Sequence, residues 1–395
     1  VAMWMFVMNQ ATGGKGSKIN SVGRAKAKLV TADKAKVYFK DVAGADEEKA
    51  ELEEIVEFLR NPEYFTKLGL TDVHTDRFGN AIGTRKGKSN GPRVLLEAHM
   101  DTVFPIDTVL EPKYEGSRIY LPGVNDNCSG CAALLSIIRG LNHANIETEG
   151  DLVFVTTVEE EGKGALGGMR KLMSENKFDA SISLDSAGFG NISYQGQAIR
   201  NAVITFHGQD GHAAGSFGKV ANAMNAAARA VANIADIEVP SEPRTIFLVS
   251  NFHAGTDEAI NAVAPEVVVK MNYRSLEQAE LEKLHEKILA AVEKACVDEA
   301  ARWGDGVQRV TWDCEIIADL RMSEQNIHNP IIESLYEIFQ NMGVEEPVLR
   351  SGAACNMMMA VEAGVQAICT GAGGSGTMHS LDEYYDPGEH AYQGP

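Results

Sequence analysis

Short apolar runs of strand length alternate with helical patterns along most of this chain. The runs VLLEA, LVFVTTV and ASISL are accompanied by the helical patterns CAALLSIIRGL and GALGGMRKLMSE. Strands that are buried on both faces have this composition when helices connect parallel neighbours. The chain has 395 residues, 44% of them hydrophobic, which is enough for a large core and for more than one domain. The pattern therefore predicts an α/β fold with a mostly parallel sheet flanked by helices.

Changes in sequence character divide the chain into four segments. Residues 1–69 are first Gly-rich and basic and then contain an amphipathic helical pattern that Pro62 ends. Residues 70–191 carry the strand and helix alternation. Residues 192–306 change to the alternating strands AVITFHG, IFLVSNFHA and VVVKMNYR with two helices, and the buried-strand pattern returns in 307–395 with VQAICTG. We therefore predict a main domain made of two parts, with a smaller α+β domain inserted between them.

Composition and charge exclude several classes of function. The formal net charge of −19 is unfavourable for nucleic-acid binding, so we expect no nucleic-acid partner. No run approaches the roughly 18 to 20 apolar residues of a membrane helix, so we expect no stable membrane span in this chain. The six cysteines are scattered, which predicts reduced thiols and a cytoplasmic location. Cys128 and Cys131 form a CxxC, which we interpret as small residues at a helix start rather than a redox or zinc motif.

Acidic and imidazole side chains stand at the ends of the predicted strands or in turns beside them. In an open α/β sheet, ligands gather at the carboxyl ends of the strands. Each side chain taken alone is typical of a solvated surface group. Together they are the ligand types of a carboxylate-rich dinuclear zinc site, in which two ions about 3.5 to 4 Å apart share a carboxylate. These residues are His99, Asp101, Asp126, Glu160, Glu161, Asp185 and His379.

Six motifs between about residues 70 and 388 resemble, in order, those of the zinc metallopeptidases that include peptidase T, carboxypeptidase G and aminoacylase. The motifs are HMDTVFP, GVNDNCSGCAALL, VTTVEEEG, SLDSAG, FHGQDGHAAGSFG and GGSGTMHSLDEYYD. The resemblance implies a hydrolase that cleaves an amide bond of a small peptide or an N-acyl amino acid. It also implies two zinc ions, with Co²⁺ or Mn²⁺ as substitutes. The inserted domain would then be a ferredoxin-like lid and dimerisation domain, and the protein a homodimer.

The resemblance implies that five residues of these motifs are metal ligands. His99 and Asp185 would hold one zinc ion. Glu161 and His379 would hold the other. Asp126 would bridge the two ions, and the family pattern implies a cis peptide bond between Asp126 and Asn127.

Two further acidic residues receive catalytic roles from the same resemblance. Glu160 would be the general base that takes a proton from a metal-bridged water and gives it to the leaving amine. Asp101 would orient His99 through the second ring nitrogen. Glu159 leaves open a shift of the register by one residue. Gly162, which directly follows Glu161, favours Glu160 and Glu161 as the functional pair.

Three substrate contacts are also implied by the resemblance. His212 in GQDGHAAGSFG would help to stabilise the oxyanion, supplied by the partner subunit in dimeric members; alone, it is typical of a turn histidine. Asn261 in NAVAP would lie near the substrate. Asn356 stands where relatives often have an aspartate, at the substrate end of the pocket. Met357–Met359 beside it we interpret as helix core, because thioethers suit copper rather than zinc.

Residues 1–69 resemble the membrane-proximal linker and first AAA helix of FtsH-type membrane proteases, through WMFVMNQ and FKDVAGADEEKAELEEIVEFL. The phosphate-binding loop GxxxxGK[ST] does not follow, so the resemblance carries no ATPase function. This segment replaces the opening helices of the metallopeptidase family. Two alternative functions therefore remain open. One is a non-catalytic fusion or adaptor fragment with a degraded hydrolase domain, and the other is a ureido or carbamoyl amidohydrolase on the same fold.

Overall fold

The computed structural model describes residues 64–162, 165–256, 259–304 and 306–388. The chain divides into two units, Val1–Glu53 and Glu54–Pro395, and all described residues belong to the second. The FtsH-like helix predicted before Pro62 lies outside the described residues. Among the described residues, no helix is both long enough and apolar enough to cross a membrane.

The strands and helices follow each other in the predicted alternation. The strands are β1 (Thr71–Thr75), β2 (Ala81–Arg85), β3 (Val94–His99), β4 (Lys113–Glu115), β5 (Arg118–Tyr120), β6 (Leu152–Thr157), β7 (Ala180–Leu184), β8 (Asn191–Gly196), β9 (Ala198–His207), β10 (Gly211–His212), β11 (Thr245–Ala254), β12 (Ala262–Val263), β13 (Glu266–Ser275), β14 (Thr311–Leu320), β15 (Val348–Ala353), β16 (Gln366–Thr370), β17 (Ser375–Gly376) and β18 (Tyr384–Asp386). The helices are α1 (Tyr64–Lys67), α2 (Ser129–His143), α3 (Gly167–Glu175), α4 (Ala213–Ser216), α5 (Ala223–Ala235), α6 (Gln278–Ala301), α7 (Pro330–Asn341) and α8 (Met357–Glu362).

An eight-stranded sheet forms the larger part of the fold, in the order β1-β2-β6-β3-β7-β16-β8-β15. Its centre is parallel: β3 pairs in parallel with both β6 and β7, and β7 pairs in parallel with β16. The outer strands β1 and β2 are antiparallel. The predicted α/β class with a mostly parallel sheet is therefore confirmed.

Helices cover both faces of this sheet because its central strands are apolar on both sides. Leu96 of β3 packs in one cluster with Leu134 and Ile138 of α2. The neighbouring residue Leu95 points the other way and packs in a second cluster with Leu172 of α3. Alternate residues of a strand face opposite sides, which explains the split. The methionines 357–359 of α8 are at most 2% exposed within the second cluster, so the prediction of helix core is confirmed.

A second sheet of four antiparallel strands has the order β11-β13-β9-β14. Helices α5 and α6 pack against β9 and β13 in a separate apolar cluster. β8 crosses the predicted boundary between residues 191 and 192 and pairs in the large sheet. β14 lies after the predicted boundary at 307 but pairs with β9, on the edge of β9 away from β13. The small sheet therefore spans Ala198–Leu320.

Candidate metal centre

Polar side chains at or just after the ends of the parallel strands β3, β6 and β7 lie at one edge of the large sheet. His99 is the last residue of β3, directly opposite Thr157 at the end of β6. Glu160 and Glu161 follow β6, and Asp185 follows β7. Because parallel strands end at the same edge, these side chains converge there.

Five side chains form two overlapping groups that share one aspartate. Atoms of His99, Asp126 and Asp185 lie within 4.8 Å of one another, as do atoms of Asp126, Glu161 and His379. Nε2 of His99 is 3.0 Å from Oδ1 of Asp126, and Nε2 of His379 is 2.9 Å from Oδ2 of the same carboxylate. Each oxygen of Asp126 therefore faces one histidine, the arrangement that a bridging carboxylate needs.

The remaining distances complete each group. Nε2 of His99 is 3.7 Å from Oδ1 of Asp185, and Nε2 of His379 is 3.1 Å from Oε1 of Glu161. A further group joins His99 with Glu160 and Glu161. Glu159 belongs to none of the groups found among the described residues. This placement favours the predicted register of the glutamate pair.

An irregular turn, Val124–Cys128, places Asp126, and its Asp126–Asn127 peptide bond is cis, as the resemblance implied. The side-chain amide of Asn127 donates to the carbonyl of Leu184 at 2.8 Å, and its oxygen accepts the N–H of Ser186 at 3.1 Å. The turn is therefore tied to the end of β7, next to Asp185.

Glu383 holds the same turn from the other side, and sequence reasoning did not single it out. Its Oε1 accepts the backbone N–H groups of Asn125 and Asp126, both at 2.9 Å. The residue is 0% exposed. The only sequence signal is its position four residues after His379 within the motif GGSGTMHSLDEYYD.

The contacts of Asp101 differ from the predicted orientation of His99. Nδ1 of His99 is 3.0 Å from the backbone oxygen of Asp101 but 3.7 Å from its carboxylate. The carboxylate instead accepts the backbone N–H groups of Glu160 at 3.2 Å and Glu161 at 3.0 Å. The residue therefore contacts His99 mainly through its backbone, while its carboxylate holds the two glutamates.

The electrostatics of the site reflect crowded carboxylates. Burial raises the pKa of Glu160 well above its usual range, and the carboxylates of Asp185 and Glu161 add to the rise. Burial also raises the pKa of Glu161, with Asp126 contributing. For His99, burial lowers the pKa, but the contacts with Asp126 and Asp185 outweigh it and the net shift is strongly upward. A divalent cation offsets such an excess of negative charge.

Two of the predicted substrate residues, His212 and Asn261, lie at the β10–β12 ladder. His212 pairs with Ala262 on the short β10–β12 ladder, and the backbone oxygen of Asn261 accepts the N–H of Ala213 at 2.9 Å. Neither His212 nor Asn261 is in the ligand groups found among the described residues. Both side chains are exposed on the domain that carries the small sheet.

Asn356 is placed inside the protein rather than on a substrate pocket. It is 2% exposed, and its amide donates to Oε2 of Glu97 at 3.0 Å and to the hydroxyl of Thr157 at 2.8 Å. Burial raises the pKa of Glu97 to about 7, so this carboxyl group needs donors nearby. The amide nitrogen of Asn356 is therefore engaged by Glu97 and Thr157, and its contact with substrate stays a prediction.

The CxxC lies at the start of α2, as interpreted from the sequence. Both Cys128 and Cys131 are free thiols. The thiol of Cys131 donates to the backbone oxygen of His99 at 3.4 Å and belongs to the core beneath α2. Burial raises the pKa of Cys128 to about 11, which disfavours a redox role for the CxxC.

The α/β fold and the paired His and carboxylate groups at its strand ends define a metal-dependent hydrolase. Residues 95–393 match the model of Peptidase family M20/M25/M40, and the chain belongs to this family. The resemblance stated from the six motifs is thereby confirmed. The chain is a hydrolase of the metallopeptidase and amidohydrolase type.

Solved structures share this fold at low sequence identity. A tripeptidase from Staphylococcus aureus has a TM-score of 0.67 and 20% identity over 86% of this chain and 94% of its own. The aminopeptidase PepT from Bacillus cereus has a TM-score of 0.63 and 22% identity over 88% of this chain and 89% of its own. An amidase of the hydantoinase/carbamoylase family from Burkholderia vietnamiensis has a TM-score of 0.61 and 17% identity over 83% and 82%.

A short segment matches a different kind of protein. The ATP-dependent zinc metalloprotease FtsH of Bacillus subtilis is 57% identical over 67 residues, which is 17% of this chain and 10% of that protein. The chain thus spans a tenth of the length of this relative. The length of the match agrees with the FtsH resemblance of residues 1–69.

Proposed function

We propose that this chain is a two-zinc hydrolase that cleaves an amide bond of a small peptide or an N-acyl amino acid. The observation that carries the proposal is the position of Asp126 between His99 and His379, with one carboxylate oxygen about 3 Å from each ring. Oδ1 of Asp126 is buried and has no hydrogen-bond partner among the described residues, although it lies close to His99. A buried carboxylate oxygen without a donor fits a metal ligand.

The donor set suits zinc. Imidazole nitrogens and carboxylate oxygens are zinc ligands, and Co²⁺ or Mn²⁺ accept the same atoms. His99 and Asp185 would hold one ion, Glu161 and His379 the other, and Asp126 both. When bound, the ions lower the pKa of water and polarise the carbonyl of the amide.

Glu160 is the proposed general base. It lies in the group with His99 and Glu161. The proposed ligand set gives each ion two ligands of its own together with the bridging Asp126, so Glu160 is not needed as a ligand. The carboxylate accepts a proton from the attacking water and passes it to the nitrogen of the leaving amine. Burial raises the pKa of this carboxyl group, which makes its carboxylate a stronger proton acceptor. Asp101 positions it by holding its backbone N–H.

Oxyanion stabilisation is assigned to His212 on the β10–β12 ladder, with Asn261 directly before β12. In the proposed homodimer, His212 reaches the site of the partner subunit. The edge strand β11 supports such a dimer, because it exposes Leu248 and Phe252 by 60% and 42% at a sheet edge that no other described strand pairs with. A second copy of this chain would cover these side chains.

A ureido or carbamoyl substrate is the second candidate. The fold likeness to the hydantoinase/carbamoylase amidase supports it, since the same metal centre suits both reactions. A non-catalytic adaptor is less well supported, because all five proposed ligands are present and converge. We further propose a cytoplasmic location, which is supported by six free thiols.

Metal content and a substrate screen test the proposal together. We expect about two zinc ions per purified chain by mass spectrometry, and loss of both metal and hydrolysis in Asp126→Ala. Asp107→Ala, which removes an exposed carboxylate on the loop after β3, is the matched control and should keep both. Dipeptides, tripeptides, N-acyl amino acids and carbamoyl amino acids should be assayed in parallel. A chain that binds no zinc even when supplied with it would exclude the proposed mechanism.

A further inference from the structure

Two cysteines that the proposed reaction does not use lie against Asp185. Cys355 lies two residues before the first residue of α8, and Cys369 lies in β16. Both are free, and they are 4% and 8% exposed. The sulfur atoms of both cysteines and a carboxylate oxygen of Asp185 all lie within 4.8 Å of one another. Two thiols and a carboxylate thus face one point in the interior.

The fold places these groups together through sheet register. β16 is the parallel neighbour of β7, and Cys369 is directly opposite Ser183, two residues before Asp185. Cys355 and Cys369 belong to the same apolar cluster as α8. The packed core therefore surrounds the two thiols. Asp185, the third member of the group, is partly exposed and lies 3.7 Å from His99 of the candidate metal centre.

We infer that Cys355, Cys369 and Asp185 form a binding site for one thiophilic divalent cation. Binding breaks two S–H bonds, forms two metal–sulfur bonds and releases two protons to solvent, while a carboxylate oxygen supplies a third ligand. Metal–sulfur bonds of about 2.3 Å bring ligand atoms of a tetrahedral site to roughly 3.8 Å, so only small inward movements are needed. Two sulfurs make this donor set softer than the nitrogen and oxygen ligands of the neighbouring centre.

The site has a consequence for hydrolysis, and this part rests on the proposed function. Asp185 also faces His99, at 3.7 Å. A cation held by the thiols recruits the carboxylate of Asp185 and withdraws it from the first proposed zinc ion. Thiophilic cations therefore inhibit hydrolysis by capturing a ligand that both sites need.

Cadmium titration of the full chain tests binding separately from catalysis. Asp126→Ala is used as background, because it removes the proposed bridging ligand and leaves the thiols intact. We expect one Cd²⁺ per chain with an ultraviolet sulfur-to-cadmium charge-transfer band. The band should disappear in Cys355→Ser and in Cys369→Ser. It should persist in the matched control Cys128→Ser with Cys131→Ser, which removes the other neighbouring thiol pair.

A measurement without cysteine variants guards against misfolding of those variants. X-ray absorption of the wild-type chain loaded with one equivalent of Cd²⁺ should show two sulfur neighbours together with oxygen. Cadmium with only nitrogen and oxygen neighbours, or a charge-transfer band that follows Cys128 and Cys131, would overturn the assignment. The X-ray absorption measurement tests the thiol site even if the chain hydrolyses no amide. Failure of the proposed hydrolysis can therefore be distinguished from failure of the thiol site.

Discussion

Glu383 offers the sharpest test of how this protein holds its candidate metal ligand. Its carboxylate is fully buried and accepts the backbone N–H groups of Asn125 and Asp126. Glu383→Ala leaves both donors without a partner in the interior. Each buried, unpaired N–H costs about 1–3 kcal/mol, so we expect the free energy of unfolding to fall by about 2–6 kcal/mol. Zinc affinity should fall by about 10- to 100-fold, as for other residues that orient a metal ligand.

Glu383→Gln separates the hydrogen bonds from the charge. The amide oxygen still accepts both N–H groups, so most of the stability should return, with a remaining loss of about 1 kcal/mol. Urea unfolding measures the first quantity and competition with a chelator the second. Glu111→Ala removes an exposed carboxylate and should change stability by less than about 0.5 kcal/mol. A Glu383→Ala chain with wild-type unfolding and wild-type zinc affinity would refute the reasoning.

Four further outcomes follow from the structure. Leu134→Ala removes a fully buried side chain under the large sheet and should cost about 2–5 kcal/mol in urea unfolding, whereas Ile338→Ala, half exposed on α7, should cost much less. Burial lowers the pKa of His285, so the folded state binds its proton less well than the unfolded state does; the free energy of unfolding should fall as pH drops below about 6.5, and less so in His285→Gln. Leu248→Lys on the exposed edge strand should convert the proposed homodimer to a monomer in light scattering, and Ile338→Lys should not. Glu160→Gln should lower kcat by about 10²- to 10⁴-fold with zinc content kept, and an unchanged kcat would exclude Glu160 as the base.

Residue type and chain order were enough to predict which strand ends bring the candidate ligands together. Three apolar strands lead to the candidate ligands. β3 ends at His99, β6 ends shortly before Glu160 and Glu161, and β7 ends directly before Asp185. The ends of parallel neighbours meet at one edge whatever the details of packing. The same local signals predicted the buried methionine helix and three of the four strands of the small sheet, β9, β11 and β13.

Predictions about individual side-chain contacts were less reliable. Asn356 was expected to meet substrate but binds Glu97 and Thr157 in the interior. The carboxylate of Asp101, expected to orient His99, lies 3.7 Å from Nδ1 of His99 and also accepts two backbone N–H groups that the sequence did not predict. In both cases a nearby donor or acceptor needed a partner, and sequence spacing does not show which buried groups are left unpaired.

The sequence by itself determined the α/β class, the inventory of candidate ligands and the strand ends that carry them, because strand periodicity and apolar composition are local properties. Only the tertiary structure decided that β14 completes the small sheet and that Glu383 holds the turn of Asp126 from 257 residues away. Such pairings depend on which edges and N–H groups remain unpaired after the core has formed. These pairings form between segments that are far apart in the chain, so local sequence patterns do not predict them.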